Sequence, residues 1–592
     1  MKKKARHNRR RLPGLTRQLV IDFMQTSLPH SSFVAFSANR SAHAKLVWNN
    51  PNGIAGANLS DHAYHVLLKS DDPGTVTNDT KDFLAERYGG AGIASNGGGA
   101  RCGLTGSVQI KGVGRNALAG NRSSYWHSYG GETVAGGVRD AIWGEICHAT
   151  LPFGAVRVHG LIDTGTTVPR FAVETGAPAT ARRGLTVRQP ALRPAHFMRA
   201  LGFSRVDEKH ASLVGDAERT RAAIYAIVPA FQSIYGPARQ SKPTASYIND
   251  CVTAMFTRFA YQLAAARAKR IVHGTISSSN LCLDGRWIDF GTCSSVSDYG
   301  KIIVAKTGSD ASQTAPILLV AVELAANLRR YLPPPLASNL AVASEVYQNF
   351  RAIYDQRLDL ELLKLTGMPE ARLLQLPHRL RSVLSAKLHI IISAGNGEQF
   401  KLFNQCGRGS HMPGKMGRYQ LNNILCALAM STEPHDCEWK LQGQIAEIDL
   451  RTSIICAYFE LRRAYLALFD SERQNAALEA LRLNTTRLNS PLPGLYRHVL
   501  DQHIDAIVDS HDSVDSLISS ISRHAIDMLA DADADGFGPA ATGSEGLCIA
   551  ESAGSLKQGL TIPYQLSMNL LQARIEAHVS QFSKAPSCAI AF

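Results

Sequence analysis

The chain has 592 residues and a mass of 64.1 kDa, with 45% hydrophobic residues, 19% charged residues and a net charge of +14. This length can bury a large core and predicts at least two lobes. Because no apolar run is long enough to span a bilayer and no signal-peptide pattern follows the basic start, we expect a cytoplasmic protein without a membrane span.

Cysteine spacing argues against both a zinc ribbon and a disulfide scaffold. The eleven Cys residues are scattered and form no C-x-x-C pair. Cys293 and Cys588 are the two whose positions suit redox control, although ordinary free thiols are the interpretation we favour for both.

Part of the positive charge is concentrated at the start of the chain, which reads MKKKARHNRRR. Such a tail can bind an acidic partner or nucleic acid, but we favour a solvated, disordered end over residues 1–20. Base readout needs an aromatic-interleaved basic platform or a recognition helix. The sequence shows neither, so we expect no specific nucleic-acid partner.

The first lobe is predicted to open with an irregular lead-in, followed by a short helix over 82–88. A glycine-dense segment comes next and contains Gly97, Gly98, Gly99 and Arg101. Dense glycines allow positive φ and close backbone approach to a ligand, and their amides can cradle phosphate oxygens. A flexible loop is the alternative that composition leaves open.

A strand pattern over Ser107–Gly112 (SVQIKG) ends near Lys111. A Lys one strand beyond a glycine loop is well placed to reach nucleotide phosphates, as in the V-A-I-K strand of kinases. The helix predicted over 132–149 supplies a carboxylate for this Lys, with Asp140 as first choice and Glu145 as second. A solvated helix face is the alternative for both.

Two further strands are predicted over 155–162 and 182–190. The second is expected to carry Arg188 outward, with Arg193 close behind, and guanidinium groups suit phosphate oxygens. The second lobe is predicted to be helical from residue 216 onward. Its helix over 248–268 leads into the segment 273–291.

The segment 273–291 reads HGTISSSNLCLDGRWIDFG and contains the strongest local signal. Short apolar runs flank Asp284-Gly285, which is typical of a β-hairpin. An Asn at its mouth (Asn280) and an Asp at its exit (Asp289) can aim both oxygens at one cation. Magnesium bound to nucleotide phosphates takes one or two such protein oxygens. In kinases an Asn and the Asp of D-F-G do this.

The remaining chain is predicted to be mainly helical, with an amphipathic helix over 312–332 and helical patterns over 356–386, 420–431, 446–485 and 495–530. The Asp-rich run from Asp531 resembles a calcium loop, but it lacks the Glu that such a loop has at its twelfth position. A polar linker is therefore the preferred interpretation. We predict an α+β, two-lobed chain with the divisions 1–20 (basic tail), 21–203 (N-terminal lobe), 204–400 (C-terminal lobe) and 401–592 (helical extension).

Taken together and in order, these motifs resemble the SelO/YdiU family over about residues 85–300. The resemblance is carried by QIKGVGRN, VRDAIWGEICHATLPFGAVRVHGLIDTG, a V-R-x-P-x-L-R segment, and HGxxxxxN with I-D-F-G. It implies a protein-kinase-like fold that binds ATP with Mg²⁺ or Mn²⁺ in a reversed orientation and transfers AMP. The implied site residues are Lys111 and the glycine segment with Arg101 for phosphates, Asp140 pairing the Lys, Arg188 and Arg193 on phosphate, and Asn280 and Asp289 on the metal.

One departure from the family pattern bears on the acceptor. The family has T-D-N, in which the Asp acts as the base for an acceptor hydroxyl, whereas this chain has Ser278-Ser279-Asn280. One explanation is a non-catalytic ATP-binding pseudoenzyme. Another is a carboxylate acceptor, which is ionised at pH 7 and needs no base. Adenylylation of protein hydroxyls, with Asp284 or a substrate group as the base, is a third.

The chain also resembles the MchC-like branch of microcin maturation proteins. That resemblance implies ATP-dependent modification of the C-terminus of a precursor peptide, together with a partner acyltransferase. Activation of a peptide carboxylate as an acyl-adenylate is consistent with the missing base.

Overall fold

The computed structural model describes residues 28–533, apart from gaps at 55–57, 68–70, 94, 172–177, 207–212, 214, 238–242, 297–298, 300, 304–312, 395–398, 402–418 and 511–512. The basic tail, Cys588 and the part of the Asp-rich run after residue 533 lie outside the described residues.

The first half of the described chain is built on an eight-stranded antiparallel sheet, in the order β2-β7-β8-β6-β5-β4-β1-β3. The strand bounds are β1 Phe33–Ser41, β2 Lys45–Asn49, β3 Tyr64–His65, β4 Val76–Glu86, β5 Cys102–Thr105, β6 Val108–Lys111, β7 Val158–Phe171 and β8 Pro178–Arg188. The three strands predicted around Lys111, Val158 and Arg188 are confirmed.

The short helix predicted over 82–88 is wrong, and so is the irregular lead-in before it. Residues 82–86 form the end of β4, which pairs with β1. Phe83 and Ala85 are fully buried while Asp82 is exposed, an alternation of period two that a strand buried on one face requires. Pairing with a distant strand therefore decides the structure of a segment that is locally ambiguous.

The sheet is covered by one long helix, α2 (Val134–Thr150), which follows the short α1 (Tyr125–Ser128). The hydroxyl of Thr133 caps α2 by accepting the N–H of Gly136 at 2.9 Å. The helix packs on β7 and β8 and is buried around most of its circumference. It therefore holds Asp140 at a fixed place beside the sheet.

The second half is helical, as predicted. The bounds are α3 Asp216–Tyr225, α4 Ile227–Tyr235, α5 Ala245–Ala268, α6 Ala315–Tyr331, α7 Pro334–Ala337, α8 Ala343–Lys364, α9 Glu370–Leu373, α10 His378–Ala394, α11 Leu421–Met430, α12 Pro434–Leu441, α13 Ile448–Leu466, α14 Ser471–Asn489, α15 Arg497–Asp509 and α16 Val514–Leu529. Two small two-stranded sheets join β9 (Ile271–Val272) to β10 (Ser294–Ser295) and β11 (Lys301–Ile303) to β12 (Gln399–Lys401).

The last helices pack back onto the first half of the chain. Helices α15 and α16 lie against α2. Just beyond α16, Asp531 places one carboxylate oxygen 2.7 Å from Nζ of Lys269 and the other 2.7 Å from Nζ of Lys364. All described residues belong to one compact unit. The boundaries at 203 and 400 stay predictions.

None of the helices in the described ranges combines the length and the hydrophobicity that crossing a bilayer requires.

Candidate functional site

The ammonium group of Lys111 lies at the centre of a cluster of carboxylates. Its Nζ is 2.7 Å from Oδ2 of Asp140, 3.1 Å from Oδ1 of Asp289 and 3.1 Å from Oε2 of Glu132. The carboxylates of Asp140 and Asp289 are the two that the sequence predicts near Lys111, and the structure brings them together. Glu145, the second choice for the pairing, instead bonds Arg157 and faces away from this cluster.

The opposite charges in the cluster stabilise the charged forms of one another. Burial alone would lower the pKa of Lys111, but the carboxylates of Asp140, Asp289 and Glu132 outweigh burial and raise that pKa above its ordinary value. Burial would likewise raise the pKa of Asp289, but Lys111 and Arg101 outweigh it and lower the pKa of this carboxyl. Both groups are therefore charged near neutral pH.

Glu132 is a site residue that the sequence interpretation missed. It was predicted as the first residue of the helix, but α2 begins at Val134 and Glu132 lies just outside it. From there its carboxylate reaches both Lys111 and Arg101, the latter at 3.3 Å. An acidic residue directly before a helix cap was the signal that could have found it.

The hairpin predicted around Asp284-Gly285 is confirmed. Leu281 and Trp287 face each other across it, and the N–H of Gly285 donates to the carbonyl of Cys282 at 3.0 Å. Gly285 has φ +93°, the left-handed conformation that this turn needs. The hairpin mouth is closed by the N–H of Ile288, which donates to the carbonyl of Asn280 at 3.2 Å.

The two predicted metal ligands therefore leave the same end of one hairpin. The amide nitrogen of Asn280 donates to the carbonyl of Thr275 at 2.8 Å, while its side-chain oxygen accepts the Ser279 hydroxyl at 3.4 Å. Asp289 is one-third exposed and has φ +70°, a conformation uncommon for a residue with a side chain and frequent at functional sites. These two oxygens match the donor set of a phosphate-bound magnesium ion.

His273 contacts the second strand of the hairpin. Its Nε2 lies 3.1 Å from the carbonyl of Ile288, and its ring packs edge-on against Trp287. Burial lowers the pKa of His273 to about 4, so the imidazole is neutral near pH 7. A neutral Nε2–H donates to that carbonyl and fixes the backbone just before Asp289.

The two predicted phosphate arginines are both buried, each with 3% of its surface exposed. Arg188 does not point outward as predicted, because its Nε donates to Gln109 at 2.7 Å inside the sheet. Arg193 donates through Nη1 to the carbonyl of Ser279 at 3.0 Å and packs over the Tyr88 ring. Among the described residues, its Nε and Nη2 are buried and have no hydrogen-bond partner, which is the condition expected of a guanidinium that binds an anion.

The glycines of the predicted phosphate loop make backbone hydrogen bonds and pack closely on β4. The N–H groups of Gly97 and Gly99 donate to the backbone carbonyls of Leu118 and Glu86, so these two amides are already engaged. Gly98 has φ +137°, and a Cβ there would lie 2.2 Å from the carbonyl of Glu86. Close packing on β4 thus explains this glycine, while Arg101 is the part of the segment that reaches the Lys111 cluster.

A second glycine turn, Gly90–Gly92, covers the serines that precede Asn280. A Cβ on Gly92 would lie 2.9 Å from Oγ of Ser279, and one on Gly90 would lie 2.4 Å from Oγ of Ser278. This turn also receives Glu323 of α6, whose carboxylate accepts the N–H of Ala91 at 3.1 Å. Burial raises the pKa of Glu323. No motif in the sequence pointed to this carboxylate.

Asp284 does not lie where a base would be needed. It occupies the turn of the hairpin, at the opposite end from Asn280, and its carboxylate pairs with Arg286 at 2.8 Å. Glu323, at the glycine turn that covers Ser278 and Ser279, is better placed for the role of the missing base than Asp284.

No protein-family model matches the chain, and no curated protein matches it. In the part of the chain that the structure describes, no group of three or more His, Cys, Asp and Glu side chains is arranged to hold a metal ion. The resemblance to the SelO/YdiU family stays a prediction.

Proposed function

We propose that the protein has a two-lobed, protein-kinase-like fold of the SelO type and is an ATP-dependent adenylyltransferase acting on a peptide or protein. One observation carries the proposal. Lys111 from the sheet, Asp140 from α2 and Asp289 from the hairpin exit meet within 3.1 Å, although 29 and 178 residues separate the Lys from the two carboxylates. Kinases position nucleotide phosphates with this combination of groups.

The residues present fit ATP with a divalent cation. Asn280 and Asp289 would hold Mg²⁺ or Mn²⁺, and Lys111, Arg101, Arg188 and Arg193 would surround the phosphates. The unpartnered nitrogens of Arg193 support this assignment, because a buried guanidinium is stabilised by an anion that completes its hydrogen bonds. Bound metal would neutralise phosphate charge, and the protein groups would orient the α-phosphate for attack.

In the proposed reaction an acceptor oxygen bonds to the α-phosphorus, the bridging bond to the β-phosphate breaks, and pyrophosphate leaves. Ser279 cannot take a proton from a hydroxyl acceptor near neutral pH. Base assistance is worth about 10²–10⁴-fold, but a carboxylate acceptor has no proton to lose. A peptide C-terminal carboxylate is therefore the acceptor we prefer, in keeping with microcin-type maturation and a partner acyltransferase.

The test is incubation with ATP radiolabelled in its α-phosphate and candidate peptides that have free or amidated C-termini. Pyrophosphate release that requires the free C-terminus, with label in a hydroxylamine-sensitive bond, supports carboxylate activation. Asp289→Asn should abolish the release, whereas Asp284→Asn, which changes a carboxylate of the same hairpin at its far end, should not. ATP binding without turnover would identify a non-catalytic ATP-binding pseudoenzyme.

A second candidate function is adenylylation of protein Ser, Thr or Tyr hydroxyls. The position of Glu323 favours it, since this half-buried carboxylate reaches the glycine turn that lies on Ser278 and Ser279. A carboxyl whose pKa is raised by burial is better matched to accepting a proton near neutral pH than an ordinary one. Label that is stable to hydroxylamine would support this function.

A further inference from the structure

Arg497, the first residue of α15, contacts the segment that carries Asp289. Its Nη1 donates to the carbonyl of Gly291 at 2.5 Å, and its backbone N–H donates to Oγ of Ser294 at 3.0 Å. Gly291 is two residues beyond Asp289. One residue more than 200 positions away in sequence therefore contacts both ends of the short stretch that follows the proposed metal ligand, through its side chain at Gly291 and through its backbone at Ser294.

Asp501, one turn further along α15, connects the same helix to α2. It forms an ion pair with Arg139, which directly precedes Asp140, and its Oδ2 lies 3.8 Å from Nε of Arg497. The side chains of Arg139 and Arg497 are only 7% and 15% exposed. One carboxylate thus lies between two largely buried guanidinium groups.

The contact between α15 and α2 places charged side chains where they are largely shielded from solvent. The Asp501 carboxylate lies between two buried cations, and Asp505 of the same helix also acts electrostatically on Arg139. Removing Asp501 would leave less negative charge between the two guanidinium groups, which is unfavourable for buried cations. The contact is also anchored from β8, where Arg182 donates to the carbonyl of Val508 at 2.7 Å. Helix α15 therefore contacts the sheet, α2 and the segment 289–294 that contains Asp289.

We propose that Arg497 and Asp501 are positioning residues for the candidate site, holding the Asp289 segment and α2 in the relative register that brings two carboxylates to Lys111. Neither residue contacts Lys111, so each acts through Gly291 or Arg139. The catalytic part of this inference rests on the proposed function, whereas the positioning part does not.

The experiment compares Arg497→Ala, Arg497→Lys and Asp501→Asn with a matched control, Arg462→Ala. Arg462 is also a buried arginine of the C-terminal helices, and it donates to the carbonyls of Ser431 and Thr432 at 2.6 Å, but those carbonyls belong to the extension itself. Amide hydrogen exchange at 289–294 and along α2 is measured, together with binding of ATP in the presence and absence of Mg²⁺.

We expect Arg497→Ala and Asp501→Asn to speed exchange at 289–294 and to weaken the Mg²⁺-dependent part of ATP binding by about 10- to 100-fold, the usual effect of losing an outer residue that orients a metal ligand. Arg497→Lys should restore part of both, and Arg462→Ala should change neither. Equal effects of Arg497→Ala and Arg462→Ala would overturn the inference.

The two proposals fail separately. If the wild-type protein does not bind ATP, the proposed function fails, but selective exchange at 289–294 in the Arg497 and Asp501 variants still supports positioning. If ATP binds and none of these variants changes either exchange or Mg²⁺ dependence, positioning fails. Should Arg497→Ala not fold, Arg497→Lys and Asp501→Asn decide by the same two measurements.

Discussion

Phe290 donates its backbone N–H to Oδ1 of Asp140 at 3.0 Å, while Oδ2 of the same carboxylate lies 2.7 Å from Nζ of Lys111. One carboxylate therefore connects the helix, the sheet and the segment that carries Asp289. A rotation of α2 would break both bonds together. The geometry of the site is consequently set as a unit rather than residue by residue.

Replacing Lys111 should destabilise the fold as well as remove the nucleotide binding that we propose. In Lys111→Met, the carboxylates of Asp140, Asp289 and Glu132 would face one another without their cation. Removing one partner of a buried ion pair costs about 3–5 kcal/mol, and we expect a loss of this order in urea unfolding. Lys45→Met, a change on an exposed position of β2, is the control. Equal stability of the two variants would contradict the ionic cluster.

Acid should weaken the fold partly through His273. The unfolded chain binds a proton on this imidazole near pH 6.5, whereas the folded chain does so only near its lowered pKa of about 4. Between these values the unfolded state holds more protons, so the free energy of unfolding falls as pH falls, by about 3 kcal/mol in total from this residue.

The measurement is urea unfolding at intervals between pH 7 and pH 4. His273→Gln should remove this share of the pH dependence, and His30→Gln, which changes an exposed imidazole, should keep it. Identical slopes for the wild type and His273→Gln would show that His273 is protonated as readily in the folded chain as in water.

Glu323→Gln separates the two acceptor classes. Its side chain keeps an oxygen for the N–H of Ala91 but loses the ability to accept a proton near neutral pH. With a carboxylate acceptor, we expect AMP transfer to stay within about twofold of wild type, since no base is needed. A fall of about 10²–10⁴-fold, with binding of ATP unchanged, would instead assign Glu323 the role of base for a hydroxyl.

Gly98→Ala should be far more damaging than Gly106→Ala. Both glycines have positive φ, which costs a residue with a Cβ about 1 kcal/mol. Only at Gly98 would the new Cβ also lie 2.2 Å from the carbonyl of Glu86, while a Cβ on Gly106 would have no atom of the described residues within 4 Å. Overpacking of this kind costs about 1–3 kcal/mol more. Thermal unfolding of the two variants measures the difference, and equal losses would rule out the close packing on β4.

The parts of the site that could be predicted from the sequence are those with local signals. The strand that ends in Lys111, the helix with Asp140 and the hairpin between Asn280 and Asp289 each follow from residue periodicity or turn chemistry within about twenty residues. The order of these motifs along the chain then suggested that they converge, and Lys111 and Asp289 do lie together.

The parts that could not be predicted depend on contacts between distant segments. The local pattern over 82–88 predicts a helix, because the pairing of 82–86 with β1, at least 45 residues earlier, is not visible in a short window of sequence. Arg188 was placed outward because its partner Gln109 is 79 residues away. The roles of Glu132 and Glu323 likewise depend on where other elements place Lys111 and Ala91. Alternation and charge alone carry no information about such distances.

The two ion pairs of Asp531 determine how this chain can be divided. A shortened protein that stops before residue 531 would leave the ammonium groups of Lys269 and Lys364, both largely buried, without this shared counterion. Lys269 directly follows the long helix that leads into His273. A minimal fragment that still folds should therefore keep the chain through Asp531, because a shorter chain would lose the negative charge beside two buried lysines next to the helix that leads into the hairpin.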